Sequence, residues 1–167
     1  DLFAAVAQPT DAELWTYMGD GPFASREAFA ENIARKSAST DPLFFALADL
    51  RTGRARGHAA LMRIDSANRV VEVGNIMYGR ALQRTPAATE AIFLLARHVF
   101  DDLGYRRFEW KCNDLNEPSK RAALRYVFSF EGVFLQHMIL KGRNRDTACY
   151  SMIDSEWPAR RAAFEQW

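Results

Sequence analysis

Residues 83–90 read Gln83-Arg84-Thr85-Pro86-Ala87-Ala88-Thr89-Glu90, and they join a strand-like run to a long amphipathic pattern through a helix start. Thr85 is a residue type that caps helix N-termini, Pro86 suits the first helical position, and Glu90 adds a carboxylate in the first turns, where it is favoured. The free backbone N–H groups of such an end bind anions without any charged side chain. The stretch therefore predicts a helix beginning near Pro86 and a candidate seat for phosphate, although most helix starts bind nothing.

The segments on either side of this helix start predict a strand and a helix. Apolar residues over 70–78 predict a strand that Gly74-Asn75 interrupts, and a glycine inside a strand often marks a bulge or a close backbone approach. Behind the start, apolar residues recur at helical spacing and predict one core-facing stripe, made of Ile92, Leu95, Ala96, Val99 and Leu103. Gly104 is the natural C-terminal stop of this helix.

A second strand and a second helix follow, over 106–113 and from Asn116 to about Phe128. Strand, helix and strand over this distance form a βαβ unit, so the strands near 70–78 and 106–113 should be parallel. The other predicted elements are a helix over 25–38 capped by Ser25, a hairpin of strands over 43–50 and 55–64, strands over 130–141 and 147–154 joined by the turn 141–145, and a last helix capped by Ser155 that packs through Trp157, Phe164 and Trp167.

Composition excludes several classes of protein. The 167 residues suit one domain, and a formal net charge of only +1 argues against a general nucleic-acid binder. No run reaches the roughly 18 apolar residues of a membrane span, and no secretory signal is recognisable, so we expect a cytoplasmic protein. Two cysteines are too few for a disulfide framework and the three histidines are scattered singly, so we expect reduced thiols and no metal.

Antiparallel strands, then a βαβ unit with a phosphate-type helix start, then a helix and a hairpin, is the element order of the GNAT superfamily of N-acetyltransferases. The motifs resemble its branch of ribosomal-protein N-terminal acetyltransferases, the Rim-like branch. The residues that carry this resemblance are Glu72-Val73-Gly74-Asn75-Ile76-Met77-Tyr78, the loop Gln83 to Ala88, Glu109-Trp110-Lys111-Cys112-Asn113, Asn116, Ser119 and Phe128-Ser129-Phe130-Glu131-Gly132.

The resemblance implies an α/β (mixed α+β) fold in which helices flank a central, mostly antiparallel sheet with one splayed parallel pair. It implies a single domain over residues 1–167. Because the chain begins at Asp1 without a methionine, we expect that the family's first N-terminal strand is missing.

The resemblance also implies an acetyl-CoA site in the wedge where the two parallel strands splay apart. The pantetheine arm would pair, as an added strand, with the edge formed by Ile76, Met77 and Tyr78, and a backbone N–H near Met77 or Tyr78 would stabilise oxyanion charge. The pyrophosphate would bind the following loop and helix start, at Gln83, Arg84, Thr85, Ala87, Ala88 and Thr89.

The chain departs from the family pattern at two positions. Pro86 occupies the place of the first loop glycine, which removes one amide donor. Val127 occupies a place where glycine is usual, and a β-branched residue would be strained there if the backbone needs positive φ.

Acetyl transfer to an amine needs a route for the amine proton and an acid that protonates the departing thiolate. The tyrosine that many members place near the sulfur falls at Ala123, so the resemblance points to Ser119 as the acid, with an ordinary polar residue as the alternative. Asn116 resembles the asparagine that bonds the pantetheine arm and is also a good N-cap. Glu72 is the candidate base, with a structural salt bridge as the alternative.

Two functions of different class remain open. The first is an acetyl-CoA-dependent N-acetyltransferase that moves an acetyl group to a primary amine, either a protein N-terminus or a small amine, by direct attack in a ternary complex. The second is a non-catalytic acyl-CoA-binding or sensor domain of the same fold, which Pro86, Ala123 and Val127 favour. The resemblance also allows a homodimer, which no residue pattern supports, and the composition of the chain names no acceptor.

Overall fold

A computed structural model describes residues 1–166, which form a six-stranded sheet flanked by helices. The strand order is β1-β2-β3-β4-β6-β5, and the neighbours β3 and β4 are parallel. The mixed α/β class and the parallel pair predicted from the sequence are therefore confirmed. The strands are β1 Leu43–Ala48, β2 Ala55–Asp65, β3 Val70–Tyr78, β4 Arg107–Asn113, β5 Ser129–Leu140 and β6 Arg143–Ile153.

The helices include every helix expected from the sequence. They are α1 Leu2–Val6, α2 Arg26–Ser37, α3 Pro86–Arg97, α4 Glu117–Arg125 and α5 Trp157–Glu165, with a 3-10 helix over Pro9–Trp15 and a π-helical turn over His98–Asp102. No helix among the described residues is both long and apolar enough to cross a bilayer.

The chain divides into two compact units, and the first comprises Asp1–Met62 and Gly74–Ala88. Its core joins α1, the 3-10 helix, α2 and β3 through four buried side chains, Val6, Trp15, Phe29 and Met77. The indole Nε1 of Trp15 donates a 2.8 Å hydrogen bond to the carbonyl of Val6. The polar N–H of this large core side chain therefore has a hydrogen-bond partner although it is buried. β1 and β2 form the expected antiparallel hairpin.

The second unit comprises Arg63–Val73 and the chain from Thr89 onward. Residues Val70–Val73 of β3 pair in parallel with Arg107–Trp110 of β4, which in turn pairs antiparallel with β6. One face of β4 is apolar and packs aromatic rings, with the Phe108 and Phe128 centroids 5.5 Å apart. β5 is the edge strand and exposes several large apolar side chains, Phe130, Val133, Phe134, Leu135 and Ile139.

Three local predictions were wrong. Ser155 does not cap the last helix, because α5 begins at Trp157 and the capping position falls on Glu156. Leu103 is 45% exposed, because α3 gives way to a π-helical turn after Arg97 and the wider turn shifts the apolar stripe out of phase. The hairpin turn expected over 141–145 is shorter, since β6 already begins at Arg143. Trp167, expected to pack with the last helix, lies outside the described residues.

Candidate active site

β3 leaves regular strand conformation at the position where the sequence predicts a bulge. Asn75 has a φ of +48°, a left-handed conformation that asparagine tolerates better than most residues. Its side-chain amide lies 3.5 Å from the sulfur of Met62 on β2. The backbone therefore turns sharply just before residues 76–78, the predicted cofactor edge.

The three residues of this edge point their side chains into the protein to different degrees. Met77 is buried in the core of the first unit, whereas Ile76 and Tyr78 are half-buried. The Tyr78 hydroxyl donates a 3.3 Å hydrogen bond to the carbonyl of Ala88. Because the side chains of Met77 and Tyr78 are engaged inside the unit, what this segment offers a ligand is mainly its backbone.

The helix start after β3 has the predicted form. α3 begins at Pro86, and the Thr85 hydroxyl oxygen accepts a 3.3 Å hydrogen bond from the N–H of Ala88. Gln83 and Arg84 are exposed, and Arg84 has a φ of +59°. Pro86 has no N–H, and the N–H of Ala88 is bonded to the Thr85 side chain. The remaining free amides of the first turn are therefore those of Ala87 and Thr89.

Thr89, like Ala88, is buried, and it carries a polar side chain that forms a hydrogen bond inside the protein. Its Oγ1 accepts a 3.0 Å hydrogen bond from the guanidinium of Arg125, in the last turn of α4. Sequence reasoning missed Arg125, because nothing local connects it to a residue 36 positions earlier. The contact brings a permanent positive charge against the first turn of α3.

Ser119 and Asn116 meet at the start of α4, as the sequence predicts. The Asn116 side-chain oxygen accepts from the Ser119 N–H at 3.2 Å, which makes Asn116 the N-cap. The Ser119 hydroxyl oxygen accepts a 3.1 Å hydrogen bond from the indole Nε1 of Trp110 on β4. The thiol of Cys112 also lies beside Ser119, and burial raises the pKa of that thiol, so it is a neutral neighbour.

Glu72 lies in a buried ion pair with two cations. Its carboxylate, 3% exposed, accepts a 2.6 Å hydrogen bond from Arg63 and lies 3.3 Å from the ammonium of Lys111. Lys111 in turn contacts Glu109, and Glu109 accepts a 2.7 Å hydrogen bond from Arg107. The sequence left two roles open for Glu72, a catalytic base and a structural salt bridge, and the observed contacts are of the second kind.

The same network continues to Glu131 on β5, the other end of a row of alternating charges that begins at Arg63 on β2. The Arg107 guanidinium donates to both carboxylate oxygens of Glu131 and lowers the pKa of Glu131 to about 2. Ser151 donates a further 2.7 Å hydrogen bond to this carboxylate. Glu131 is therefore ionised and occupied, which fits a structural role.

Val127, at the position where the family usually has glycine, has a backbone conformation that glycine adopts more easily than other residues. Val127 has a φ of +58° and follows the C-cap of α4. The Val127 N–H donates to the Leu124 carbonyl and the Phe128 N–H to the Ala123 carbonyl, both at 3.0 Å, which is the Schellman arrangement. Val127 therefore has the positive φ at which strain is expected for a β-branched residue. Ala123, at the position where many family members have tyrosine, is fully buried.

Sequence reasoning also missed a polar cluster in the first unit, because it treated His58 as one of three scattered histidines. His58 is 3% exposed on β2, and its Nε2 lies 3.5 Å from the ammonium of Lys36. Lys36 forms a 2.9 Å ion pair with Asp20. The partners are separated by 16 to 38 residues, so no local spacing reveals the cluster.

Comparison with known proteins gives one family. The sequence model of the acetyltransferase (GNAT) domain matches residues 1–129 of the chain. A GCN5-related N-acetyltransferase from Brucella melitensis is 51% identical over 99% of this chain and 75% of its own, with a TM-score of 0.96. A protein from Chromobacterium violaceum described as a probable acetyltransferase of the GNAT family is 38% identical over 94% of this chain and 76% of its own, with a TM-score of 0.85.

A more distant likeness concerns the fold alone. Spermidine N-acetyltransferase from Vibrio cholerae, solved in complex with CoA and spermine, is 17% identical over 89% of this chain and 86% of its own, with a TM-score of 0.71. None of the curated proteins matches this chain. The family model, the Brucella relative and the Chromobacterium relative agree, and the chain belongs to the GNAT acetyltransferase superfamily.

Proposed function

We propose that the protein transfers the acetyl group of acetyl-CoA to a primary amine, by direct attack of the amine on the thioester within a ternary complex. Membership of the GNAT superfamily, seen in the match over residues 1–129, is the observation that carries this proposal. The left-handed turn at Asn75 and the capped helix start at Pro86 support it, because both features fall where the family binds acyl-CoA. The proposal includes the single acetyltransferase domain over residues 1–167 that the resemblance implies.

The proposed cofactor contacts are mostly made by backbone. The amides and carbonyls of Ile76, Met77 and Tyr78 would pair with the pantetheine arm, as an added strand pairs with a sheet edge. The amides of the loop from Gln83 to Ala88 and of Thr89 would bind the pyrophosphate, with Arg84 supplying a cation. Asn116 uses its side-chain oxygen as the N-cap, so its amide nitrogen is the group it would offer to the pantetheine arm.

Ser119 is the proposed acid. The attacking nitrogen forms a bond to the carbonyl carbon, the carbon–sulfur bond breaks, and the departing thiolate takes a proton while the amine loses one. The hydrogen bond from Trp110 to the Ser119 oxygen supports this role, because a donor on the oxygen stabilises the alkoxide left behind when the hydroxyl gives up its proton.

Glu72 stays the proposed proton acceptor for the amine. Its carboxylate is buried and already in contact with Arg63 and Lys111, which leaves little room for direct contact with the amine. We therefore propose that Glu72 acts through a bound water molecule. We expect its replacement to reduce the rate less than replacement of Ser119.

The acceptor class rests on the sequence resemblance to the Rim-like branch, which favours a protein N-terminus. The Vibrio cholerae spermidine N-acetyltransferase shares the fold, so a small amine is the second acceptor class to test. A homodimer and a cytoplasmic location belong to the same proposal. The location is supported by Cys112 and Cys149, which are free thiols, as is usual in reducing compartments.

A non-catalytic acyl-CoA sensor is the second candidate function. Three features favour it, namely the missing amide at Pro86, the strained backbone at Val127 and the buried methyl of Ala123 at the position of the usual tyrosine. A sensor would bind acetyl-CoA and release it unchanged.

The test combines acetyl-CoA binding by calorimetry with release of free CoA in the presence of N-terminal peptides, polyamines and small amines. We expect binding, and release with at least one acceptor. Binding without release on any acceptor would support the sensor instead, and absence of binding would refute both functions.

A matched pair of variants tests the proposed acid. Ser119→Ala should reduce kcat at least tenfold with little change in acetyl-CoA affinity, because general acid catalysis is typically worth 10²–10⁴-fold. Ser155→Ala, at a turn residue outside the site, should leave both values unchanged. An unchanged kcat in Ser119→Ala would mean that the acid is another group.

A further inference from the structure

Arg145 on β6 is a half-buried cation that has no anionic partner among residues 1–166. Its Nε is buried and forms no hydrogen bond, and no carboxylate in that part of the chain lies within ion-pair distance of the guanidinium. Arg160 also has a buried Nε without a hydrogen bond, but its guanidinium is held by Glu156 and Ser129. A buried cation without a counter-charge lowers the stability of a fold. Arg145 is therefore the kind of group that a protein keeps for an anionic ligand.

The carboxylates near Arg145 in the chain and on the sheet already have partners. Asp146 follows Arg145, but one of its carboxylate oxygens accepts hydrogen bonds from the Gln136 N–H at 2.7 Å and from the Asn144 amide at 2.9 Å. The row of alternating charges contains three cations and three carboxylates, and each carboxylate contacts at least one of the cations. The row is therefore neutral by itself. Burial lowers the pKa of the Arg145 guanidinium, yet an arginine stays charged at neutral pH, so the described residues leave its charge uncompensated.

Strand register places Arg145 on the face of the sheet that carries Glu72. Side chains directly opposite each other in neighbouring strands share a face, and so do alternate residues along one strand. Cys149 lies opposite Lys111 of β4, and Thr147 and Arg145 are the next residues of β6 on that side. Lys111 lies 3.3 Å from Glu72, the proposed proton acceptor. Arg145 and Glu72 therefore face the same side of the second unit.

The distance along β6 indicates how large the acceptor is. The parallel pairing of β3 and β4 ends at Val73 and Trp110, which is where the resemblance places the thioester, and Lys111 is the next residue of β4. Arg145 is four residues from Cys149, the partner of Lys111, which corresponds to roughly 13 Å at the usual rise of a strand. An amine at the end of the pairing and an anion at Arg145 are thus on the order of 10 Å apart, which is about three residues of extended peptide.

We propose that Arg145 binds a carboxylate of the acceptor, and that the acceptor is a peptide N-terminus with Asp or Glu within its first four residues. The inference rests on the proposed acetyltransferase function and narrows its acceptor class. A guanidinium donates two parallel hydrogen bonds to one carboxylate, and a singly charged group matches the single uncompensated charge. The carboxylate of a free α-amino acid does not reach Arg145 from the end of the pairing, because only one carbon separates it from the amine.

Matched peptides test this selection. Peptide pairs that differ only by Glu or Gln at position 2, 3 or 4 serve as acceptors, and release of free CoA gives kcat/KM. For at least one position we expect wild type to prefer Glu by about 10- to 100-fold, as is usual for hydrogen bonds to a charged group. Arg145→Gln should lower kcat/KM with the Glu peptide to the value for the Gln peptide. Its kcat/KM with the Gln peptide and its Kd for acetyl-CoA should stay within twofold of wild type.

Arg143→Gln is the matched control, because Arg143 lies two residues away on the same face of β6 but is exposed. This variant should keep the preference for Glu within twofold. Absence of the preference in wild type, an equal loss of it in both variants, or a several-fold weaker Kd for acetyl-CoA in Arg145→Gln would overturn the proposal. Acetylation of free amino acids but of none of the Glu peptides would also overturn it.

Thermal unfolding gives a second readout that needs no turnover. Arg145→Met keeps an apolar stem and removes the uncompensated charge, so Tm should rise by about 2–4 °C. Arg143→Met, at an exposed position, should leave Tm nearly unchanged. A lower Tm in Arg145→Met would mean that the guanidinium stabilises the fold, which contradicts a group kept for a ligand.

The acetyltransferase function and the role of Arg145 fail by different results. If the wild-type protein binds no acetyl-CoA or releases no CoA with any amine, the proposed function fails and the acceptor selection fails with it. If wild type acetylates amines but shows no dependence on Arg145, the acetyltransferase stands and the carboxylate site alone is refuted.

Discussion

Val127 offers a test of stored backbone strain that is independent of side-chain packing. It occupies the residue after the C-cap of α4 with a φ of +58°, and its own N–H and that of Phe128 close the Schellman hydrogen bonds. Glycine reaches this conformation without steric cost, whereas valine and alanine do not. We therefore compare Val127→Gly with Val127→Ala, two variants that both remove the half-buried side chain.

The expected order of stability is the reverse of the usual one. A left-handed conformation costs a residue with a Cβ about 1–2 kcal/mol, while glycine loses about 0.5–1 kcal/mol of unfolded-state entropy relative to alanine. The difference leaves Val127→Gly more stable than Val127→Ala by about 0.5–1 kcal/mol. For a chain of 167 residues this corresponds to a Tm higher by about 1–4 °C.

Thermal unfolding and urea titration of the two variants in one buffer measure the difference. Arg121, exposed in the middle of α4, provides the control. There, the glycine variant should be less stable than the alanine variant by about 1 kcal/mol, the normal helix penalty. An alanine variant at 127 that is as stable as the glycine variant, or more stable, would refute the strain argument.

Three further predictions follow from buried or constrained positions. His58 takes up a proton near pH 6.5 in the unfolded chain but only near pH 4 in the folded protein. The free energy of unfolding should therefore fall by about 3 kcal/mol as the pH drops through that window. A pH series of urea titrations should show this dependence, and it should be weaker in His58→Leu. Gly79→Ala should lower the free energy of unfolding by about 1–3 kcal/mol, because the new Cβ would lie 2.6 Å from the backbone carbonyl oxygen of Ala5. Gly19 has open space around it, so Gly19→Ala should change that free energy little in the same unfolding assay. Equal losses in the two variants would contradict the clash. Pro86→Gly restores an amide at the helix start, so calorimetry should show a several-fold lower Kd for acetyl-CoA together with a slightly lower Tm, and an unchanged Kd would mean that this amide does not reach the cofactor.

Local signals in the sequence were enough to predict most of the fold. The start of α3 at Pro86 and the cap at Asn116 follow from side chains that bond their own neighbours within three residues. The distortion of β3 follows from Gly74-Asn75, because few other residues tolerate the backbone that such a turn needs. These features depend on short-range chemistry, which a single sequence displays directly.

The partners of the charged and buried site residues could not be predicted in the same way. Glu72 meets Arg63 and Lys111, which are 9 and 39 positions away, because β2, β3 and β4 bring them together. The contact of His58 with Lys36 depends on how α2 packs on β2. Such contacts are set by tertiary packing, and neither the period nor the composition of the chain contains them.

The row of alternating charges from Arg63 through Glu72, Lys111, Glu109 and Arg107 to Glu131 limits how this part of the chain can change. Reversing any one charge would leave two like charges facing each other at hydrogen-bonding distance in a partly buried sheet. Neutral drift at these positions should therefore proceed by paired exchanges. In an alignment of relatives we expect Arg107 and Glu131 to covary with their neighbours along the row, and to do so even in members whose acceptors differ.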